Sequence, residues 1–224
     1  NVKTTRGVVL ATGGYGKDVT FRSAQDPRLD ETVGCTNFDG ATAHGLRVAL
    51  NAGVMGMQLD QIQCYPYTSP EEDSFGCAAT WIEAESAYAP TIDPTTGKRF
   101  VNELETRDNV SAAELAQEGG YAYTILDQKM MDASSTYNGY FTKGYAVQAD
   151  SYEELAEKLG VDPATFAATM ETWNKAVADQ KDDEFGRLSF ASALDTAPYY
   201  AIKVSPGIHH TMGCLLYTSP SPRD

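Results

Sequence analysis

The amino-acid sequence predicts an α/β fold joined to a second, mixed α+β domain, and three observations carry that expectation. A β-branched run, Val8-Val9-Leu10, ends in Ala11-Thr12-Gly13-Gly14. It reads as a buried strand running into a glycine turn, the place where α/β folds bring backbone against a cofactor. Residues 40–53 then combine small residues at a helix start, an apolar stripe of Leu46, Ala49 and Leu50, and a glycine just past the end. From about Gln58 the chain changes to short extended pieces such as QLDQIQCYPY and FGCAATW, the mark of a second domain.

The remaining elements follow in order. Residues 17–37, rich in Asp and Arg, read as a polar loop. Asp93-Pro94-Thr95-Thr96-Gly97 is a turn between two strand-like runs. Residues 111–118 are helical in pattern and 121–126 resemble a strand. Ser151-x-x-Glu154 is a capping box ahead of a helix, and Asp162-Pro163 supplies an N-cap with proline at the first helical position. Phe166, Met170, Trp173 and Val177 recur at helical spacing and read as a core stripe. Residues 179–187 form a charged loop, and Tyr199 to Val204 a strand leading into Ser205-Pro206-Gly207-Ile208-His209-His210-Thr211-Met212-Gly213. The last eleven residues, CLLYTSPSPRD, have no period and no evident partner element, so 214–224 are expected to be a non-native tail.

Composition narrows the function. With 17 Lys+Arg against 31 Asp+Glu the 224-residue chain carries a net charge of −14. Such a surface repels nucleic-acid phosphates and anionic lipid, so neither is an expected partner. No apolar run is long enough to span a membrane and no signal-peptide order opens the chain, which reads as soluble. Cys35, Cys64, Cys77 and Cys214 lie too far apart for a CxxC pair, and the only histidines are His44, His209 and His210. No metal site is expected, and the cysteines leave the compartment open.

Taken singly, the polar motifs are modest. The Ala-Thr-Gly-Gly turn suits a phosphate or ribityl contact because glycines let backbone N–H groups approach a ligand, but the GxGxxG fingerprint is absent. Gly97-Lys98-Arg99-Phe100-Val101-Asn102-Glu103-Leu104-Glu105-Thr106-Arg107-Asp108 holds two arginines eight apart around an Asn-Glu pair, which for an arbitrary protein means a solvated hairpin with surface ion pairs. His209 and His210 on an extended segment are expected to point to opposite sides.

Together and in order, four motifs resemble one family. Val9-Leu10-Ala11-Thr12-Gly13-Gly14, Gly40-Ala41-Thr42-x-x-Gly45, Gly97-Lys98-Arg99-Phe100-x-Asn102-Glu103-x-x-x-Arg107-Asp108 and Gly207-x-His209-His210-Thr211-Met212-Gly213 are similar to the flavoproteins of the soluble fumarate reductase, flavocytochrome c and urocanate reductase group. The resemblance covers residues 2–213. It implies a partial FAD-binding, Rossmann-like domain (1–59 and 195–213) interrupted by a capping domain (60–194), with the active site in the cleft between them. By position, Ala11, Thr12, Gly13, Gly14, Thr42, Ala43, His44, Gly45 and His210 would contact FAD. His44 is a departure, since flavocytochrome-like members usually carry aspartate there.

The implied reaction reduces the C=C bond of an α,β-unsaturated carboxylate. Hydride comes from N5 of reduced FAD and a proton from a cap arginine, here Arg107. His209, with Thr211, would hold the substrate carboxylate, and Glu83 is the candidate acid feeding Arg107. No second arginine lies near Glu85, so proton delivery can take another route. Gln63-Cys64-Tyr65-Pro66 has tyrosine where fumarate reducers carry histidine, so Tyr65 points to a larger, ring-bearing acrylate. The electron donor, whether a cytochrome, a flavin domain or a quinol-linked protein, stays open. Two alternatives remain: oxidation in the opposite sense, as in ketosteroid dehydrogenases or aspartate oxidase, and an inactive truncated fragment.

Overall fold

The computed structural model describes residues 3–74, 89–133, 139, 141–190, 192–212 and, for backbone only, 215–217. The chain divides into two compact units, Asn1–Gln63 with Ile208–Asp224, and Cys64–Gly207.

In the first unit, helix α1 (Val19–Gln25) stands inside what the sequence presents as a polar loop. Asp18 caps it, accepting from the Phe21 N–H at 2.8 Å. Phe21 then packs with Tyr15, Ala43 and Leu46 in a small core. One residue organises the rest of that loop. Arg22, 2% exposed, donates to the carbonyls of Leu29, Gly16, Asp30 and Val33 at 2.9, 2.8, 2.6 and 2.6 Å. A buried guanidinium needs its N–H groups satisfied, and here backbone supplies the acceptors. Helix α2 (His44–Asn51) buries Leu46 against the same core, with Leu50 at its margin.

Two expectations change in this unit. Val8, Val9 and Leu10 form no strand and are 81%, 91% and 42% exposed. A strand exists only as part of a ladder, and the described residues offer these three no partner. The apolar stub after Gly213 does have one: β8 (Leu215–Tyr217) pairs antiparallel with β2 (Met55–Met57), an edge the sequence pattern does not announce. The short β1 (Gly34–Cys35) pairs with the long β7 (Tyr199–Thr211).

The second unit is built on antiparallel pairing around β7. On one side β5 (Ala122–Asp127) runs from Ala122 opposite Val204 to Asp127 opposite Tyr199, and on the other β6 (Ala146–Ala149) sets Ala146 opposite Ile202. Strand β3 (Ile62–Thr68) also pairs with β7, and β4 (Thr91–Ile92) extends β5. Residues 199–207, which sequence order assigns to the returning FAD domain, therefore pack within this unit.

Period-two alternation splits the core into two layers. Ala122, Leu126, Ile202 and Val204 face the tyrosines of β3 and Val110 of helix α3 (Arg107–Leu115); helix α4 (Gln128–Ala133) adds Met131 to that layer. Ile125 and Ala201 face helices α5 (Tyr152–Leu159) and α6 (Pro163–Asp179). In α6, Phe166, Met170 and Trp173 are fully buried, with Ala176 rather than Val177 completing the stripe. Each such side chain contributes roughly 1.5–3 kcal/mol of burial.

The caps follow the sequence. The Asp162 carboxylate accepts from the Thr165 N–H at 2.8 Å. Ser151 accepts from the Glu154 N–H at 3.1 Å, while Glu154 reaches back to the Asp150 N–H at 2.9 Å. No helix among the described residues is long and apolar enough to cross a membrane.

Candidate functional site

In the first unit the glycine turn lies between two other candidate segments. Gly13 has φ +75°, a conformation that favours glycine. A Cβ on Gly14 would sit 2.3 Å from Thr211 Oγ1, and one on Gly45 would sit 2.6 Å from Thr12 Cγ2. Three sequence-distant motifs thus meet backbone to side chain, at distances only glycine permits.

Asp18 fixes the middle segment. Besides capping α1, it accepts from the Ala43 N–H at 3.1 Å and from Arg47 Nη2 at 2.8 Å. Burial alone would raise its pKa, but hydrogen bonds from Phe21, Ala43 and Arg47 outweigh this and hold the carboxyl below the usual aspartate range. Ala43 itself is fully buried. With its N–H on Asp18 and its carbonyl accepting from the Arg47 N–H at 2.8 Å, it shapes the segment from within. Thr42 and His44 are exposed, His44 at the first position of α2.

Thr36 and Asn37 belong to the same group, and nothing in the sequence pattern singles them out. Thr36 Oγ1 lies 2.7 Å from His209 Nδ1, and Asn37 Nδ2 donates to the His209 carbonyl at 2.8 Å. The Thr36 contact fixes the ring's orientation, and its direction decides the tautomer. The two histidines do not point apart: their ring centroids are 4.0 Å from each other at 51°. Opposed Cβ directions set only where each side chain starts, and rotation about χ1 and χ2 brings the rings together at the strand margin.

In the second unit, Arg107 is the first residue of α3, following the Thr106 cap, whose hydroxyl accepts from the Asn109 N–H at 3.3 Å. Its Cζ lies 5.1 Å from the centre of the Tyr65 ring. Tyr65 is 1% exposed and meets Tyr67 edge-on, with ring centroids 6.1 Å apart at 89°. Tyr67 in turn donates to the Glu103 carbonyl at 3.2 Å. Two candidates 42 positions apart are thus one contact, a guanidinium seated on an aromatic face. Glu83 lies outside the described residues.

Arg99 has a different fate from the solvated hairpin the sequence suggests. It donates to both Glu103 oxygens at 2.9 Å and to Asp182 at 3.0 Å, and Arg187 reaches Glu103 at 2.9 Å. All four side chains are essentially excluded from solvent. Arg99 and Arg187 stand 5.0 and 4.8 Å from the Trp173 ring. Burial would lower the Arg99 pKa, but Glu103 and Asp182 more than offset it and push it up. This network ties residues 99–103 to the 182–187 loop and to β4, where the Thr91 N–H donates to Glu103 at 3.1 Å. Its arginines are committed to structure.

Comparison with known proteins bears on the family and the fold. Residues 1–215 match the family model described as FAD binding domain. The chain is 39% identical over 206 residues to a fumarate reductase (cytochrome) of Shewanella frigidimarina, covering 92% of this chain and 35% of that protein. It is 30% identical over 219 residues to a urocanate reductase of Eggerthella lenta, covering 94% and 35%. Among solved structures, the open conformation of a flavocytochrome c3 fumarate reductase superposes with a TM-score of 0.76 at 34% identity, covering 93% of this chain and 36% of that one. The chain thus spans about a third of the length of these relatives. Its sequence and its mixed helices and sheet place it in the family of FAD binding domains, to which it belongs.

Proposed function

We propose that this chain is part of an FAD-dependent oxidoreductase that reduces the C=C bond of an α,β-unsaturated carboxylate, with Arg107 as proton donor. The observation that carries the reading is the half-buried Arg107 guanidinium held over the buried Tyr65 ring, while Arg99 of the same segment is enclosed by carboxylates.

The first unit fits FAD. Gly14 and Gly45 keep backbone close to Thr211 and Thr12, a surface on which N–H groups can approach a phosphate or ribityl chain. Ala11, Thr12, Gly13, Gly14, Thr42, His44, Gly45 and His210 would hold the cofactor, with Ala43 and Asp18 shaping the segment behind them. When bound, FAD supplies the hydride for the β-carbon.

The chain's own residues do the rest. Arg107 gives a proton to the α-carbon, and its charge stabilises the carbanion-like transition state. A guanidinium holds its proton tightly in water, so it donates only when placed against the developing carbanion and resupplied. Tyr65 acts through Arg107, as the platform for its guanidinium. His209, oriented by Thr36, grips the substrate carboxylate with Thr211 beside it. The relatives' named substrates, fumarate and urocanate, share the unsaturated carboxylate this arrangement suits.

The test uses the full-length, FAD-loaded protein with a reduced dye as electron donor and fumarate, urocanate or a cinnamate-type acid as acceptor. Arg107→Ala should lower turnover by about 10²–10⁴-fold with flavin absorbance retained. Arg107→Lys should restore little, because the planar fork is lost. Wild-type turnover in Arg107→Ala would end the assignment.

A further inference from the structure

Thr36 and Asn37, just past β1, clasp two consecutive residues of β7. The Thr36 N–H donates to the Ile208 carbonyl at 2.9 Å. Asn37 Nδ2 donates to the His209 carbonyl at 2.8 Å, and Asn37 Oδ1 sits where a Cβ on Gly16 would come within 2.2 Å of it. The amide therefore occupies space that a side chain at position 16 would take. These bonds hold the backbone of Ile208 and His209, so the half-buried His209 ring is aimed by the side chains around it. The Thr36 hydroxyl stands 2.7 Å from Nδ1, and the His210 ring lies 4.0 Å away between centroids.

A threonine hydroxyl has one proton to give, and two acceptors compete for it. The Ile208 carbonyl lies 3.3 Å from Thr36 Oγ1, beyond the roughly 2.5–3.0 Å of an O–H···O hydrogen bond. It also already accepts the Thr36 N–H. Nδ1 of His209 is the nearer acceptor. When the hydroxyl proton goes to Nδ1, the proton of a neutral imidazole must sit on Nε2, across the ring from Thr36. A doubly protonated ring would lose Nδ1 as an acceptor and place a cation beside a second imidazole, where a second charge is repelled.

We propose that Thr36 is a positioning residue that donates to Nδ1 and so holds neutral His209 as its Nε2–H tautomer, presenting an N–H rather than a lone pair to the substrate carboxylate. This rests on His209 gripping that carboxylate. A carboxylate only accepts hydrogen bonds, so the opposite tautomer would set lone pair against lone pair. A ring without the Thr36 bond would spend part of its time in that form and bind correspondingly less well. The role is binding and orientation; no proton is transferred.

The experiment uses the full-length, FAD-loaded protein with histidine labelled for nitrogen NMR, and His209→Gln identifies the His209 signals. At about pH 8.5, above the ordinary imidazole pKa of about 6.5, the wild-type ring should show an unprotonated Nδ1 and a protonated Nε2. Thr36→Val, which keeps the branched shape and removes the hydroxyl, should mix or reverse that pattern, and Thr36→Ser should restore it. With a reduced dye as electron donor and fumarate or urocanate as acceptor, Thr36→Val should raise KM about tenfold with kcat nearly unchanged, the mark of binding lost equally from ground and transition states. Thr36→Ser should return KM toward wild type. A wild-type ring protonated on Nδ1, or a Thr36→Val protein with wild-type nitrogen signals and KM, overturns the proposal. If His209→Gln raises KM while the wild-type ring carries its proton on Nδ1, only this inference fails; if His209→Gln keeps the wild-type KM, the carboxylate-gripping reading fails first.

Discussion

Arg99 and Arg107 stand eight residues apart in one polar segment, and the fold treats them in opposite ways. Arg99 is sealed in, with the carboxylates of Glu103, Asp182 and Glu184 on its nitrogens and aromatic rings on its faces. Arg107 is half-buried, at a helix start, with a tyrosine beneath it. The contrast shows that a fully buried charge is compensated on several sides, while a half-buried one keeps part of its surface exposed. Nothing in the side chain itself distinguishes the two roles; what each packs against does.

Three measurements break or sharpen that contrast. The largest effect should come from Arg187→Ala, which leaves Glu103 buried with one cation fewer. Denaturant unfolding should show a loss of about 3–5 kcal/mol, whereas Arg107→Ala should unfold within about 1 kcal/mol of wild type.

An intermediate effect is expected in acid. Burial alone would raise the Asp182 pKa, but Arg99 and the N–H groups of Glu184 and Phe185 hold it below its ordinary value of 3.8. A depressed folded-state pKa adds stability above the unfolded value that is lost as pH falls through the folded one. Unfolding followed below pH 4 should therefore fall less steeply in Asp182→Asn than in wild type. An identical slope would remove Asp182 from the network's energetics.

The smallest effect should be the coupling between Arg107 and Tyr65. A double-mutant cycle with Arg107→Ala and Tyr65→Leu should give about 0.5–1 kcal/mol. A coupling of zero would mean that the ring does not seat the guanidinium.

Much of the second unit was legible in advance, because its signals are local. The Asp162-Pro163 cap, the Ser151 box and the Phe166–Met170–Trp173 stripe are each set by residues within a few positions of one another, and each appears in the structure. Helix α1 was hidden because the polar surroundings of VTFRSAQ mask a cap supplied by Asp18 and a core contact supplied by Phe21. Val8-Val9-Leu10 misled for the opposite reason: strand propensity is strong there, but a ladder needs a partner that the described residues do not contain. At the candidate site, the glycine motifs, Arg107 and His209 could be named from their order along the chain. Thr36, Asn37 and Asp18 could not, since they meet their partners across 25 to 173 residues and are ordinary loop residues by type.

The sequence by itself determined the family, the caps, the core stripe and the four motifs, because these are written in neighbouring residues and their order. Only the tertiary structure decided that Tyr65 lies under Arg107, that Thr36 steers His209, that Arg99 is a core ion and that Glu114 is enclosed with no hydrogen-bond partner among the described residues. The reason is physical: burial and electrostatics depend on distance through space, and a residue's type does not say which distant groups will surround it.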